Sequence, residues 1–212
     1  MTHLPVKATL LVAPGCPHCP HMKQVMQDFL AQSRIASLDL VDISINQARA
    51  AELGVRSVPW LRLNTLELQG SHSPAELEYW VEQAGLAEGR LALFDSLLEV
   101  GQLSQVETML RRDTSAMSDL LVLLADQSRQ INVRIGASAV IEGLEGSELL
   151  ETYVDDIGAL TQHADAGTRT DACHILSFIH LPASVKYLES ALGDEHPDVR
   201  ETARDSLEAF DL

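Results

Sequence analysis

Cys16 and Cys19 stand two residues apart in the segment VAPGCPHCPHM, residues 12–22, with Pro17 and His18 between them. A C-x-x-C pair is compatible with three chemistries: part of a metal site, a structural disulfide, or a dithiol that exchanges with other disulfides. A metal would have to use Cys16, His18, Cys19 and His21, four ligands within six residues, and no second C-x-x-C or H-x3-H pair follows. Ligands so crowded strain a tetrahedral site, and an iron–sulfur centre within one chain needs more cysteines than this one has. Exchange chemistry needs a sulfur whose negative charge is stabilised and a second cysteine to resolve the mixed disulfide. Cys16 follows Pro14-Gly15 at the end of an apolar run and precedes Pro17, a residue suited to the first helical position. This placement predicts Cys16 as a helix N-cap and exposed nucleophile, its charge stabilised by the helix dipole and unpaired amides. Cys19, one turn on, is then the resolving cysteine, and His18 adds a donor or positive charge beside the thiolate.

The elements that must hold this pair are legible around it. KATLLVA, residues 7–13, reads as a strand, and Met22, Val25, Met26, Phe29 and Leu30 form one face of a helix. SLDLVDI, residues 37–43, reads as a second strand, and NQARAAELG as a short helix closed by a left-handed Gly54. VPWLRLNTLELQG predicts two strands turning near Asn64 and Thr65. In SHSPAELEYWVEQAG, Ser73 is the N-cap, Pro74 the first helical residue, Glu76 completes a capping box, and Gly85 marks the stop. The order is β-α-β-α-β-β-α, and the alternation predicts parallel pairing of the first three strands with the hairpin as an antiparallel edge.

GCPHC after the first strand and GVRSVPWLRL leading into the third, in this element order, resemble the thioredoxin/glutaredoxin superfamily over residues 7–86. The resemblance implies a thioredoxin-like α/β domain, assigned to residues 1–88, with Val58–Pro59 as a cis peptide facing the dithiol. It further implies that the Val58 backbone pairs with an extended peptide while Pro59 closes over the sulfurs against metal capture. Trp60, the next residue, is expected at the border of that groove, and Trp80 in packing. The Pro-His between the cysteines resembles strongly oxidising, exported members, whose export signal and internal helical insertion are not found here. Leu10 stands where thioredoxins carry an acidic residue beneath the dithiol, and LQGSHSPAE has one glycine where glutathione-using relatives have a pair.

From about residue 89 the periodicity is helical to the end. Arg134, Ala137, Val140, Ile141 and Leu144 recur in register as Arg169, Ala172, Ile175, Leu176 and Ile179, and again as Arg200, Ala203, Ser206, Leu207 and Phe210. The arginines are 35 and then 31 residues apart, a spacing of helix-pair repeats. Each follows an earlier apolar helix: SDLLVLLAD, SELLETYVDDIGALTQ and SVKYLESAL. With HPDVRETARDSLEAF at the end, the segment 117–212 resembles HEAT repeats, and residues 90–112 are expected to add a degenerate pair. The second domain is thus an all-α, HEAT-like α-solenoid over residues 89–212. Its arginines are expected to bond neighbouring repeats through aspartates. Cys173 reads as a buried small hydrophobe or a regulatory thiol, and His72, His163, His180 and His196 as surface or packing residues.

Charge is divided unevenly. Residues 1–88 carry 9 Asp/Glu against 6 Lys/Arg, and residues 89–212 carry 22 against 9. Such acidity disfavours nucleic acid and anionic membrane as partners. No apolar run reaches spanning length, the N-terminal run is cut by Pro14 and Gly15, and three cysteines make no disulfide framework; a cytoplasmic location is expected. The function expected is thiol–disulfide exchange on protein disulfides through Cys16 and Cys19, assisted by Pro17 and His18, with Val58, Pro59 and Trp60 shaping the peptide site. It needs no cofactor and no metal. A client protein would dock on the helical repeats, and a thiol reductant of unspecified identity would recharge the dithiol. The alternatives are a non-catalytic, redox-responsive adaptor whose array binds a client, and a scaffold with a vestigial dithiol.

Overall fold

The structure, a computed structural model, describes residues 4–210. Its compact packing divides the chain into one unit ending at Leu93 and another beginning at Phe94. The first unit runs β1 (Lys7–Val12), α1 (Cys19–Ala31), β2 (Ser37–Asp42), α2 (Gln47–Glu52), β3 (Trp60–Leu63), β4 (Leu66–Gln69) and α3 (Pro74–Ala84). The four strands form one sheet in the order β2-β1-β3-β4. β1 and β2 are parallel, with Lys7 opposite Ser37 and Val12 opposite Asp42.

The third strand corrects the expectation of parallel pairing: β3 is antiparallel to β1, Leu11 facing Trp60 and Ala8 facing Leu63. The start of β3 is held there by Trp60, which faces Leu11 and packs with Leu11, Val41 and, from α2 and its end, Ala50 and Leu53. The chain therefore re-enters the sheet at the end where β1 and β2 finish. That is the end at which Cys16 lies.

The local signals are realised in detail. Asn46 caps α2 by accepting the Arg49 N–H, and Gly54 follows the helix with a φ of 59°. Asn64, at φ 51°, makes the hairpin turn, and its side chain accepts from the Lys7 N–H and donates to the Ala84 carbonyl. Ser73 and Glu76 form the capping box of α3, with Pro74 at its start. Leu10, Leu61, Met22, Met26 and Leu77 are fully buried in the core of this unit.

The chain continues through α4 (Gly89–Glu99), α5 (Leu103–Arg112), a short 3₁₀ turn at Thr114–Ala116, α6 (Met117–Ala125) and α7 (Ile131–Glu142). It ends with α8 (Glu148–Thr152), α9 (Val154–Leu160), α10 (Ala166–Leu176), α11 (Pro182–Ala191) and α12 (Pro197–Leu207). The division between units falls inside α4. The segment 147–162, read as one helix, is broken at Tyr153, whose hydroxyl donates to the Thr114 carbonyl. Within the second unit α7 packs on α5, α6 and α10, and α10 packs on α9, α11 and α12. Residues 90–112, expected to add a degenerate pair, are helical as α4 and α5.

The repeated arginines all sit at the fourth position of α7, α10 and α12. Arg134 reaches Asp171 of the next repeat at 3.0 Å, and Arg169 makes a two-pronged contact with Asp194 at 2.8 Å on both arms. Arg200 departs from the expectation, because it bonds the backbone carbonyls of Asp194 and Glu195 rather than a carboxylate. Arg169 does both, also donating to the carbonyls of His163 and Ala164. Arg169 and Arg200 thereby tie down the turn six and five residues before them, whereas Arg134 donates to the Leu124 carbonyl at 3.3 Å. Arg134 and Arg169 add the link between neighbouring repeats.

Candidate functional site

Cys16 and Cys19 are joined as a disulfide, with their Cα atoms 5.5 Å apart. Gly15, at φ 79°, turns the chain out of β1 into the left-handed region open to glycine, and the Cys16 N–H closes that turn on the Ala13 carbonyl at 3.3 Å. The helix starts later than the sequence implies. Its first residue is Cys19, its N-cap is His18 without a side-chain capping bond, and Pro20 rather than Pro17 fills the first turn. Cys16 is therefore not the N-cap, because two prolines and the Gly15 turn hold residues 16–18 outside helical hydrogen bonding.

The electrostatic consequence survives this correction. The Cys19 N–H, one of the unpaired amides that open α1, donates to the Cys16 sulfur at 3.2 Å. Cys16 is half-buried, Pro17 and His18 are exposed, and Cys19 is 4% exposed. An attacking group thus reaches the first sulfur before the second.

Val58–Pro59 is a cis peptide. The Val58 carbonyl oxygen lies 3.8 Å from the Cys16 sulfur, and neither the N–H nor the C=O of Val58 is taken by another backbone group among the described residues. Pro59 is buried, and its carbonyl accepts from the Gly70 N–H at 2.9 Å. The structure therefore brings together Cys16, Pro17, His18, Cys19, Val58 and Pro59.

It does not bring Trp60 to the surface. Trp60 is 2% exposed in a cluster with Leu11, Val41, Ala50 and Leu53, against which Val58 also packs. Its position opposite Leu11 makes its large apolar ring the centre of the core between sheet and α2, and this removes it from the expected groove border. Trp80, 8% exposed on α3, packs as expected.

Leu10, which stands on β1 where the resemblance would put an acidic residue, is fully buried, so the strand offers hydrocarbon at that position. A contact that sequence spacing does not disclose ties the far side: the His72 N–H donates to the sulfur of Met22, itself fully buried, at 3.4 Å. Among the described residues no group of three or more His, Cys, Asp or Glu side chains is placed to hold a metal ion. Cys173 lies elsewhere, on α10, fully buried; desolvation first, and Asp194 second, push its thiol up to about 11.

Comparison with known proteins agrees with these elements. Residues 6–82 match the thioredoxin domain family, and residues 111–208 match HEAT repeats. The chain is 32% identical over 60 residues to a thioredoxin of Methanocaldococcus jannaschii, a match that covers 28% of this chain and 71% of that protein.

Proposed function

The chain belongs to the thioredoxin family and carries HEAT repeats behind that domain, and from this premise we propose that it is an enzyme exchanging disulfides with protein clients. The observation that carries the reading is the Cys19 N–H aimed at the Cys16 sulfur at 3.2 Å. In the reduced protein the same amide, at the positive end of α1, stabilises a thiolate on Cys16, while burial leaves Cys19 for the second step.

The reaction runs in two displacements. The Cys16 thiolate attacks one sulfur of a client disulfide, so that a mixed disulfide forms and the other client sulfur leaves as a thiolate. Cys19, after losing its proton, attacks the Cys16 sulfur; the Cys16–Cys19 disulfide forms, and the second client sulfur departs. Two electrons have passed to the client, and a thiol reductant restores the dithiol. Val58, whose N–H and C=O are taken by no other backbone group among the described residues, offers an extended client segment a strand-like partner beside Cys16. Pro59 and Pro17 flank the sulfurs, and His18 supplies a donor next to the thiolate. The chemistry lies entirely in the two sulfurs, so the reading calls for no cofactor.

The HEAT repeats fit the docking of a client, since stacked helix pairs offer an extended face. The direction proposed is reduction, in keeping with a cytoplasmic setting whose thiol pool keeps a dithiol of ordinary potential reduced. No helix among the described residues is long and apolar enough to cross a membrane.

Trapping tests the assignment of roles. Cys19→Ser is expected to hold clients as mixed disulfides through Cys16, and these are recovered by non-reducing electrophoresis and released by dithiothreitol. Cys16→Ser is expected to trap none. Equal trapping by both variants overturns the roles, and absence of turnover at substoichiometric wild-type protein favours the redox-responsive adaptor.

A further inference from the structure

We propose that the dithiol face selects disulfides set in acidic peptide segments, with Lys23 and Arg56 as the residues that read the charge. This deepens the oxidoreductase reading and rests on it.

Three loops are joined next to the dithiol. The β1–α1 loop touches the cis-proline loop through the Cys16 sulfur, 3.8 Å from the Val58 carbonyl. The β4–α3 loop joins them through the Gly70 N–H on the Pro59 carbonyl at 2.9 Å and the His72 N–H on the Met22 sulfur at 3.4 Å. In a chain with 31 Asp/Glu against 15 Lys/Arg, these loops hold no carboxylate: none occurs between residues 13 and 27, 53 and 66, or 70 and 75. What they do hold is Lys23, one turn beyond Cys19, Arg56, two residues before Val58, and three histidines, His18, His21 and His72.

The pairing of the cations is the second observation. In the first unit Arg34 is paired with Glu78, Arg49 with Glu52, and Arg62 with Glu67. Arg56 and Lys23 are exposed and have no ion-pair partner among the described residues. The acids that border these loops are engaged locally: Glu76 accepts from the Ser73 N–H at 2.7 Å in the capping box of α3, and Asp42, where β2 ends beside Val12, accepts from the Ser44 N–H at 2.9 Å and hydroxyl at 2.6 Å. Two cations without an ion-pair partner among the described residues thus lie close in the chain to Cys19 and Val58, on the segments that carry the dithiol and the cis-proline. Screening acts over about 8 Å at physiological ionic strength, so the charges nearest the sulfurs govern the last step of approach. Charges at the rim of a contact act mainly through association rate and salt dependence.

The test uses the full chain, with dithiothreitol as electron source and three otherwise identical disulfide peptides flanked by Glu, Ser or Lys. At low salt, kcat/KM for the Glu peptide is expected to exceed that for the Lys peptide by about five- to tenfold, and the ratio to collapse at high salt. In K23E/R56E the ratio is expected to fall to about one or below, a comparison internal to the variant. Equal rates in the wild type at low salt overturn the proposal and leave the oxidoreductase reading standing; absence of turnover with every peptide overturns both. A ratio unchanged in a folded variant also overturns it, and if the variant does not fold, the salt dependence of the wild-type ratio decides. Glutathione disulfide is the fourth substrate, because its carboxylates could satisfy the same cations. Turnover of it at the rate of the Glu peptide overturns the assignment to peptide segments.

Discussion

Three cysteines occupy three environments, and the differences set their chemistry. Cys16 is half-buried with an amide pointed at its sulfur, Cys19 is enclosed one turn into the helix, and Cys173 is sealed among apolar side chains with Asp194 nearby. A thiol raised to about 11 has roughly one part in a thousand as thiolate at pH 8, and only the thiolate alkylates. Brief iodoacetamide treatment of the reduced native protein is therefore expected to label Cys16 first and to spare Cys173 until denaturant is added. Peptide mass mapping reads the order, and early labelling of Cys173 contradicts it. Placing Cys173 in the core was legible from its neighbours Ala172, Ile175 and Leu176. The burial of Trp60 was not, because position after Pro59 says nothing about which face of the strand the ring takes.

At the scale of elements, caps and turns decide the result. Asp126, at the end of α6, accepts from the Ser128 N–H and hydroxyl and from Arg129, which also reaches Asp95 at 2.8 Å. The hydrogen bonds of Ser128, then those of Arg129, lower its carboxyl from 3.8 to about 2. A depressed carboxyl stabilises the fold above the unfolded value, and the contribution is lost as pH falls through the folded value. The wild type is thus expected to melt higher than Asp126→Asn at neutral pH, with the gap constant down to about pH 4 and closing towards pH 2. A gap unchanged across that range assigns the difference to something other than the carboxylate. The capping box at Ser73 and Glu76 was readable because it depends on four consecutive residues. The start of α1 falls two residues later than expected, since Pro17 and Pro20 both suit a first turn and only the bonding of the whole loop selects Cys19.

At the scale of the molecule, charge is the dominant non-specific term. The chain carries −16, of which residues 89–212 hold 22 Asp/Glu against 9 Lys/Arg. Lowering the Debye length from about 30 Å at 0.01 M to about 8 Å at 0.15 M weakens this self-repulsion. Thermal stability is therefore expected to rise with sodium chloride over that range, as followed by circular dichroism at the helical band. A fall instead means that specific pairs such as Arg169–Asp194 outweigh the repulsion.

What the sequence by itself determined are the features written in short spans: the C-x-x-C pair, the order of strands and helices, the cap of α3, and the recurrence of Arg134, Arg169 and Arg200 at the same helical position. Each depends on residues a few places apart, whose geometry is set by local backbone physics. The tertiary structure decided what depends on distant segments meeting. It set the antiparallel entry of β3 beside β1 and the seating of Trp60 against Leu11 and Val41. It also linked residues 13–27, 53–66 and 70–75, three segments without Asp or Glu, through the Cys16–Val58, Pro59–Gly70 and Met22–His72 contacts, since charges far apart in the chain share a field only once the fold has brought their segments together.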